Sequence, residues 1–192
     1  MPREGPLPAL GAADAVTTFG GFSNSVRSAQ FHPTCDNILA VSGLDKAVTF
    51  LDCETSAKLT SFELSKACKD LPEPPAISNL SFNYDGSAYA LASKDRRVRI
   101  VDPRLPSESA VVAQSPKDSV LGRNLRVEWC SSGSNDNSAV LTVSVATGGM
   151  RTIHMWDPRN WDSPLCTRAI DTAAGQVCAH GVCVCVCVCG MI

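Results

Sequence analysis

Three histidines, ten cysteines and one dense run of basic residues are the side chains in this 192-residue sequence with the means to do chemistry. His32 sits in Phe31-His32-Pro33, between an apolar stretch and a turn, where the imidazole reads as structural or exposed. His154 lies within Ile153-His154-Met155-Trp156-Asp157, and filling a strand face is the expected role there rather than catalysis. No Ser/His/Asp or Cys/His spacing marks a nucleophilic site. No glycine-rich phosphate loop occurs either, and Gly148-Gly149 reads as a hairpin turn. The residues therefore indicate no enzyme, no cofactor and no catalytic or metal site.

The cysteines divide into two groups. Cys35, Cys53, Cys68, Cys130 and Cys166 are scattered singly among strand-like segments and read as reduced, partly buried small apolar residues. Cys178, Cys183, Cys185, Cys187 and Cys189 crowd into the last fifteen residues. There, Val182 to Cys189 reads VCVCVCVC, which as a strand would put every valine on one face and every cysteine on the other. Alternating TGT and GTG codons produce the same pattern, so the sequence from about residue 177 reads as a translated dinucleotide repeat rather than native structure. A metal-binding tail is the weaker reading, because C-x-C steps lack the C-x-x-C geometry and only His180 is nearby.

Lys94, Arg96, Arg97, Arg99 and Arg104 form the one dense basic cluster. In a strand Arg97 and Arg99 would share a face, with Lys94 and Arg96 on the preceding turn. Two readings stay open: a solvated sheet edge, or a contact for an acidic partner surface made by Lys94, Arg96, Arg97 and Arg99. Asp45 and Asp95 stand in tight turns, where a carboxylate accepts backbone N–H bonds, and their expected role is structural.

The elements that must position these residues follow from composition and pattern. With 44% apolar and 19% charged residues, the chain has an ordinary globular composition. A net charge of −2 gives no general pull toward nucleic acid or an anionic membrane. The opening MPREGPLPALGAADAV has no signal-peptide core, and no run reaches the roughly 18 apolar residues of a membrane span. No heptads suggest a coiled coil.

From Ser25 a repeating grammar begins. Strand-like Ile38–Ser42, the turn Gly43-Leu44-Asp45-Lys46 and strand-like Ala47–Asp52 return as Tyr89–Ala92, Ser93-Lys94-Asp95-Arg96 and Val98–Asp102. A third copy runs through Leu125–Trp129, Ala139–Val145 and Ile153–Asp157, and Asp157-Pro158-Arg159 repeats Asp102-Pro103-Arg104. The closing aspartates Asp52, Asp102 and Asp157 lie 50 and 55 residues apart. That exceeds the roughly 40–45 residues of a WD40 blade, and a Pro-rich loop and the Ser/Gly/Asn-rich stretch 131–138 account for the excess. Each unit is a short antiparallel sheet with apolar residues on both faces, so it must stack on a neighbour, and radial stacking makes a propeller. The expectation is an all-β fold: a partial WD40 β-propeller of about three four-stranded antiparallel blades, near 22–64, 76–114 and 123–172, after a flexible leader 1–21 and before a low-complexity tail 176–192. Open blade faces at both ends would make such a segment marginally stable or dependent on a partner.

SKDRRVRIVDPR (93–104), FHPTCDNILAVSGLDKAVTFLD (31–52) and MWDPRNWDSPLCTRAIDTAAG (155–175) resemble the coronins. The uneven third repeat is similar to the tandem-propeller branch of that family. The resemblance implies a seven-bladed, cytoplasmic and cytoskeleton-associated WD40 propeller that binds filamentous actin and tunes the actin-nucleation machinery. It also implies blades outside this segment, among them one that carries part of the basic actin-contacting surface. A general WD40 interaction scaffold unrelated to actin, and a truncated product without independent function, are the alternatives. Many WD40 blades engage the turn aspartate with a histidine ahead of the first strand. None precedes Val26 or Ile77, so that network is expected to be incomplete.

Overall fold

In the computed structural model the described residues are 17–69, 71–116, 120–131 and 138–171. Most of the leader, the stretch 132–137 and the Cys/Val tail, with all of its cysteines and His180, lie outside them. Among the described residues twelve strands form three four-stranded antiparallel sheets, as the all-β three-blade expectation has it. The first sheet is β1 (Val26–His32), β2 (Cys35–Gly43), β3 (Ala47–Asp52) and β4 (Ala57–Glu63). The second is β5 (Ile77–Phe82), β6 (Tyr89–Ser93), β7 (Val98–Val101) and β8 (Val111–Gln114). The third is β9 (Arg123–Ser131), β10 (Ser138–Val145), β11 (Arg151–Trp156) and β12 (Cys166–Asp171). Strand order follows chain order in each sheet, and β1, β5 and β9 lie side by side as the inner strands. One departure from expectation is small: a single helical turn, α1 (Leu64–Ala67), occupies the start of the loop leading to Pro75. Leu64 anchors it, fully buried.

Local chemistry explains the recurring hairpins. Lys46 and Arg96 occupy equivalent places in their turns, with φ of 61° and 63°, so each turn carries one left-handed residue. The third copy makes its turn with Gly148 and Gly149, at φ 86° and 85°, where a glycine has no Cβ to clash. An aspartate stands at or just past the end of each third strand, and its carboxylate caps the next turn. Asp52 Oδ1 accepts from Glu54 N at 2.9 Å, Asp102 Oδ1 from Arg104 N at 3.0 Å and Asp157 Oδ1 from Arg159 N at 2.9 Å.

Two cores lie between the sheets. Phe50 and Phe62 meet Phe82 and Tyr89 between the first and second, with ring centroids 5.8–6.4 Å apart. Between the second and third, Ile100 and Val98 pack with Leu125, Val127, Trp156 and Trp161, and the two indoles stack at 5.3 Å. Burying each such side chain contributes roughly 1.5–3 kcal/mol. The middle sheet is therefore covered on both faces, and β6 and β7 are buried at every position.

Polar side chains also reach across the joints between inner strands. Gln30 accepts from Phe82 N at 3.2 Å, and Ser81 accepts from Trp129 N at 2.9 Å. The Asn79 amide bonds both groups of Val127, donating to its carbonyl at 2.7 Å and accepting from its N–H at 3.0 Å.

Candidate basic partner-binding surface

The β6–β7 turn presents the basic residues, and its rigidity comes from beneath. Lys94 N donates to Ala76 O at 2.9 Å, and Arg96 N to Ser93 O at 3.1 Å. The side chains of Lys94 and Arg96 are exposed, whereas Arg97 is half-buried. Arg99 does not belong with them, and the four-residue contact read from the sequence loses one member. Its side chain is 0% exposed, because β7 is covered on both faces and neither side of the strand opens to solvent. Nor does Arg97 share a strand face with it, since β7 starts at Val98. Arg104, beyond the strand, is paired to Asp102 at 2.6 Å.

Arg99 instead secures the turn. Its Nη2 donates to Asp95 Oδ2 at 2.6 Å and its Nη1 to Ser93 Oγ at 2.6 Å, while Ser93 Oγ donates to Asp95 Oδ1 at 2.6 Å. Arg97 N adds a longer bond to Asp95 Oδ1 at 3.3 Å. Burial pushes the Asp95 carboxyl up, but the bonds from Arg99 and Ser93 and the guanidinium charge outweigh it, so the group sits below its ordinary 3.8. The histidine missing ahead of Ile77 thus has a replacement within the blade. Asp45, in the first blade, accepts from Ser23 Oγ at 3.1 Å.

The residue three before each closing aspartate is buried and polar: Thr49, Arg99 and His154. His154 bonds Thr167 at 2.9 Å and Thr152 at 3.2 Å, and burial lowers its pKa, which favours the neutral ring. His32 lies edge-on to Phe82 and contacts Gly86 O at 3.2 Å. Both imidazoles are built into packing. The five described cysteines form no disulfide and are half-buried. Among the described residues no cluster of three or more His, Cys, Asp or Glu could hold a metal ion, and no helix is long and apolar enough to cross a membrane.

A groove of about 700 Å³ crosses all three sheets at the starting ends of the inner strands. Arg27 comes to it from β1, Lys94 and Arg96 from the turn, and Arg123 and Arg126 from β9. No carboxylate among the described residues lines it. Arg126 is fixed by donating to Ser78 O at 2.9 Å, and Arg27 and Arg123 are exposed. Sequence reasoning missed Arg27, Arg123 and Arg126, because they stand alone in the chain. Repeat position was the available signal, since Arg27 and Arg123 both lie within the first two residues of an inner strand. At the other ends of the inner strands a smaller recess of about 330 Å³ has Phe31, Tyr84, Glu128 and Trp129 in its walls. Burial raises the Glu128 pKa, against a bond from Ser81.

No protein-family model matches the chain. Over 161 residues, 83% of its length, it is 31% identical to the coronin-like protein crn1 of Schizosaccharomyces pombe. Over 173 residues, 89% of its length, it is 31% identical to Coronin-7 of Pongo abelii. The chain is homologous to the coronins. It spans 24% of the first relative and 17% of the second. Among solved structures, the WD40 domain of Toxoplasma gondii coronin superposes with a TM-score of 0.63 at 22% identity, covering 84% of this chain and 38% of that one. Raptor of Chaetomium thermophilum gives 0.56 at 18% identity, covering 76% of this chain and 12% of that one. These likenesses establish the fold as part of a WD40 propeller, and the described residues of the coronin-like chain contribute three blades of it.

Proposed function

We propose that this coronin-like WD40 module binds filamentous actin by contact, without chemistry, through Lys94, Arg96 and the edge residue Arg97. The observation that carries the reading is the gathering of five cations, with no carboxylate among the described residues of the lining, into one groove of a chain whose net charge is −2. Complementary charge of this kind steers association with an acidic protein surface and fixes its orientation. A cytoplasmic, cytoskeleton-associated setting and a link to the actin-nucleation machinery accompany this function.

Cosedimentation of the full chain with actin filaments tests it. Lys94→Glu with Arg96→Glu should weaken binding at least tenfold, and wild-type binding should fall as salt rises. Unchanged sedimentation of the folded double variant would reject the contact. Phe31 and Tyr84, 57% and 66% exposed at the opposite mouth, favour a second reading as a general protein-interaction scaffold. Under that reading, Tyr84→Ala abolishes partner binding and Lys94→Glu does not.

A further inference from the structure

We infer that the basic groove is a binding site for a multiply phosphorylated polyol, free in solution or carried as a lipid headgroup. This goes beyond filament binding and does not depend on it, although the two share Lys94 and Arg96.

Four of the five cations are arginines, whose planar forks match phosphate oxygens in pairs. They reach the groove from three different blades, so their charges converge on one concavity instead of spreading over a face. Arg126 already commits one Nη1 bond to Ser78 O, which holds the guanidinium in place while its other N–H groups stay available as donors. No carboxylate stands in the described lining, so no described lining group neutralises this charge, and a polyanion is the ligand that does.

Size and lining narrow the class further. A volume near 700 Å³ is far more than one inorganic phosphate fills, and it lies within the roughly 300–1,000 Å³ of small-molecule sites. No aromatic residue among those described lines the groove, so a nucleobase would find no stacking partner there. Asn124 and Ser78 supply neutral polar groups suited to hydroxyls. Several phosphates on a hydroxylated ring meet these conditions, and a nucleotide does not.

The test titrates the full chain with myo-inositol hexakisphosphate by calorimetry at about 150 mM salt, where weak surface attraction is screened. One-to-one binding and a raised melting midpoint are expected. Arg27→Gln with Arg123→Gln, two exposed positions, should weaken binding roughly hundredfold, about tenfold for each guanidinium–phosphate hydrogen bond removed. Lys58→Gln with Arg168→Gln removes the same charge from exposed positions outside the groove and should leave affinity within about twofold. Binding no tighter than that of sulfate, or equal losses in the two double variants, would overturn the inference. Flotation with phosphatidylcholine vesicles containing phosphatidylinositol 4,5-bisphosphate distinguishes the sources: co-flotation identifies a headgroup, and hexakisphosphate binding without co-flotation identifies a free ligand. A chain that binds hexakisphosphate but does not sediment with filaments refutes only the filament reading, and the reverse result refutes only this one.

Discussion

Replacing Asp95 with alanine tests whether the β6–β7 turn is held from below by a buried ion pair. The substitution removes both carboxylate contacts to Arg99, the acceptor of Ser93 Oγ and the acceptor of Arg97 N. Arg99 then keeps its charge at 0% exposure with one bond left, to Ser93, and its Nε already has no partner among the described residues. Breaking a buried pair by removing one partner costs about 3–5 kcal/mol. The Asp95 side chain is 23% exposed, so water can reach the vacated site, and the lower end of about 3 kcal/mol applies. At roughly 2–4 °C per kcal/mol for a domain of this size, the melting midpoint should fall by about 6–12 °C. Asp45→Ala loses one bond from a serine and should cost no more than about 0.5 kcal/mol. Adding Arg99→Met to Asp95→Ala removes the stranded charge and should recover most of the loss. Thermal melts followed by circular dichroism and urea titration measure all four proteins. An Asp95→Ala protein as mild as Asp45→Ala, or a deeper loss on adding Arg99→Met, would refute the buried pair as the turn's support.

Three further outcomes follow from the same structure. Because Asp95 titrates below 3.8 when folded, its stabilisation is complete above that value and is lost as pH falls through the folded value. The stability gap between wild type and Asp95→Asn, by melting midpoint, should therefore shrink from about pH 5 to about pH 2.5, and a widening gap would contradict the assignment. Thr142→Val removes the acceptor of the buried Trp156 Nε1, now at 2.9 Å, and should cost about 1–3 kcal/mol in urea denaturation, with little added by Trp156→Phe. Tyr89→Phe should leave stability unchanged or raise it by up to about 1 kcal/mol in the same assay, since the buried hydroxyl has no partner among the described residues.

The blades were legible because their signals are local: turn residues, a closing aspartate and strands of the right length. The site was legible only in part. Lys94 and Arg96 are neighbours on one turn, so their clustering is visible along the chain. Arg27, Arg123 and Arg126 join them only through the stacking of β1, β5 and β9, a relation that no sequence window contains. Arg99 misled for another reason. Period-two reasoning assigns one strand face to solvent, but Val98, Arg99, Ile100 and Val101 are all buried between two neighbouring sheets. A charged residue in such a strand is placed by its partner and not by exposure, and that partner, Asp95, lay four residues away.

The bonds from Gln30, Asn79 and Ser81 to the inner strand of the following blade end on main-chain groups: the N–H of Phe82, both groups of Val127 and the N–H of Trp129. Such a coupling asks of the receiving strand only that it be extended, in reach and free of proline at the donor positions. A gene that lengthens by copying can therefore let each copy drift in sequence while the seam to its neighbour stays intact. Tolerance of this kind suits three units that share so few residues beyond their turns and closing aspartates.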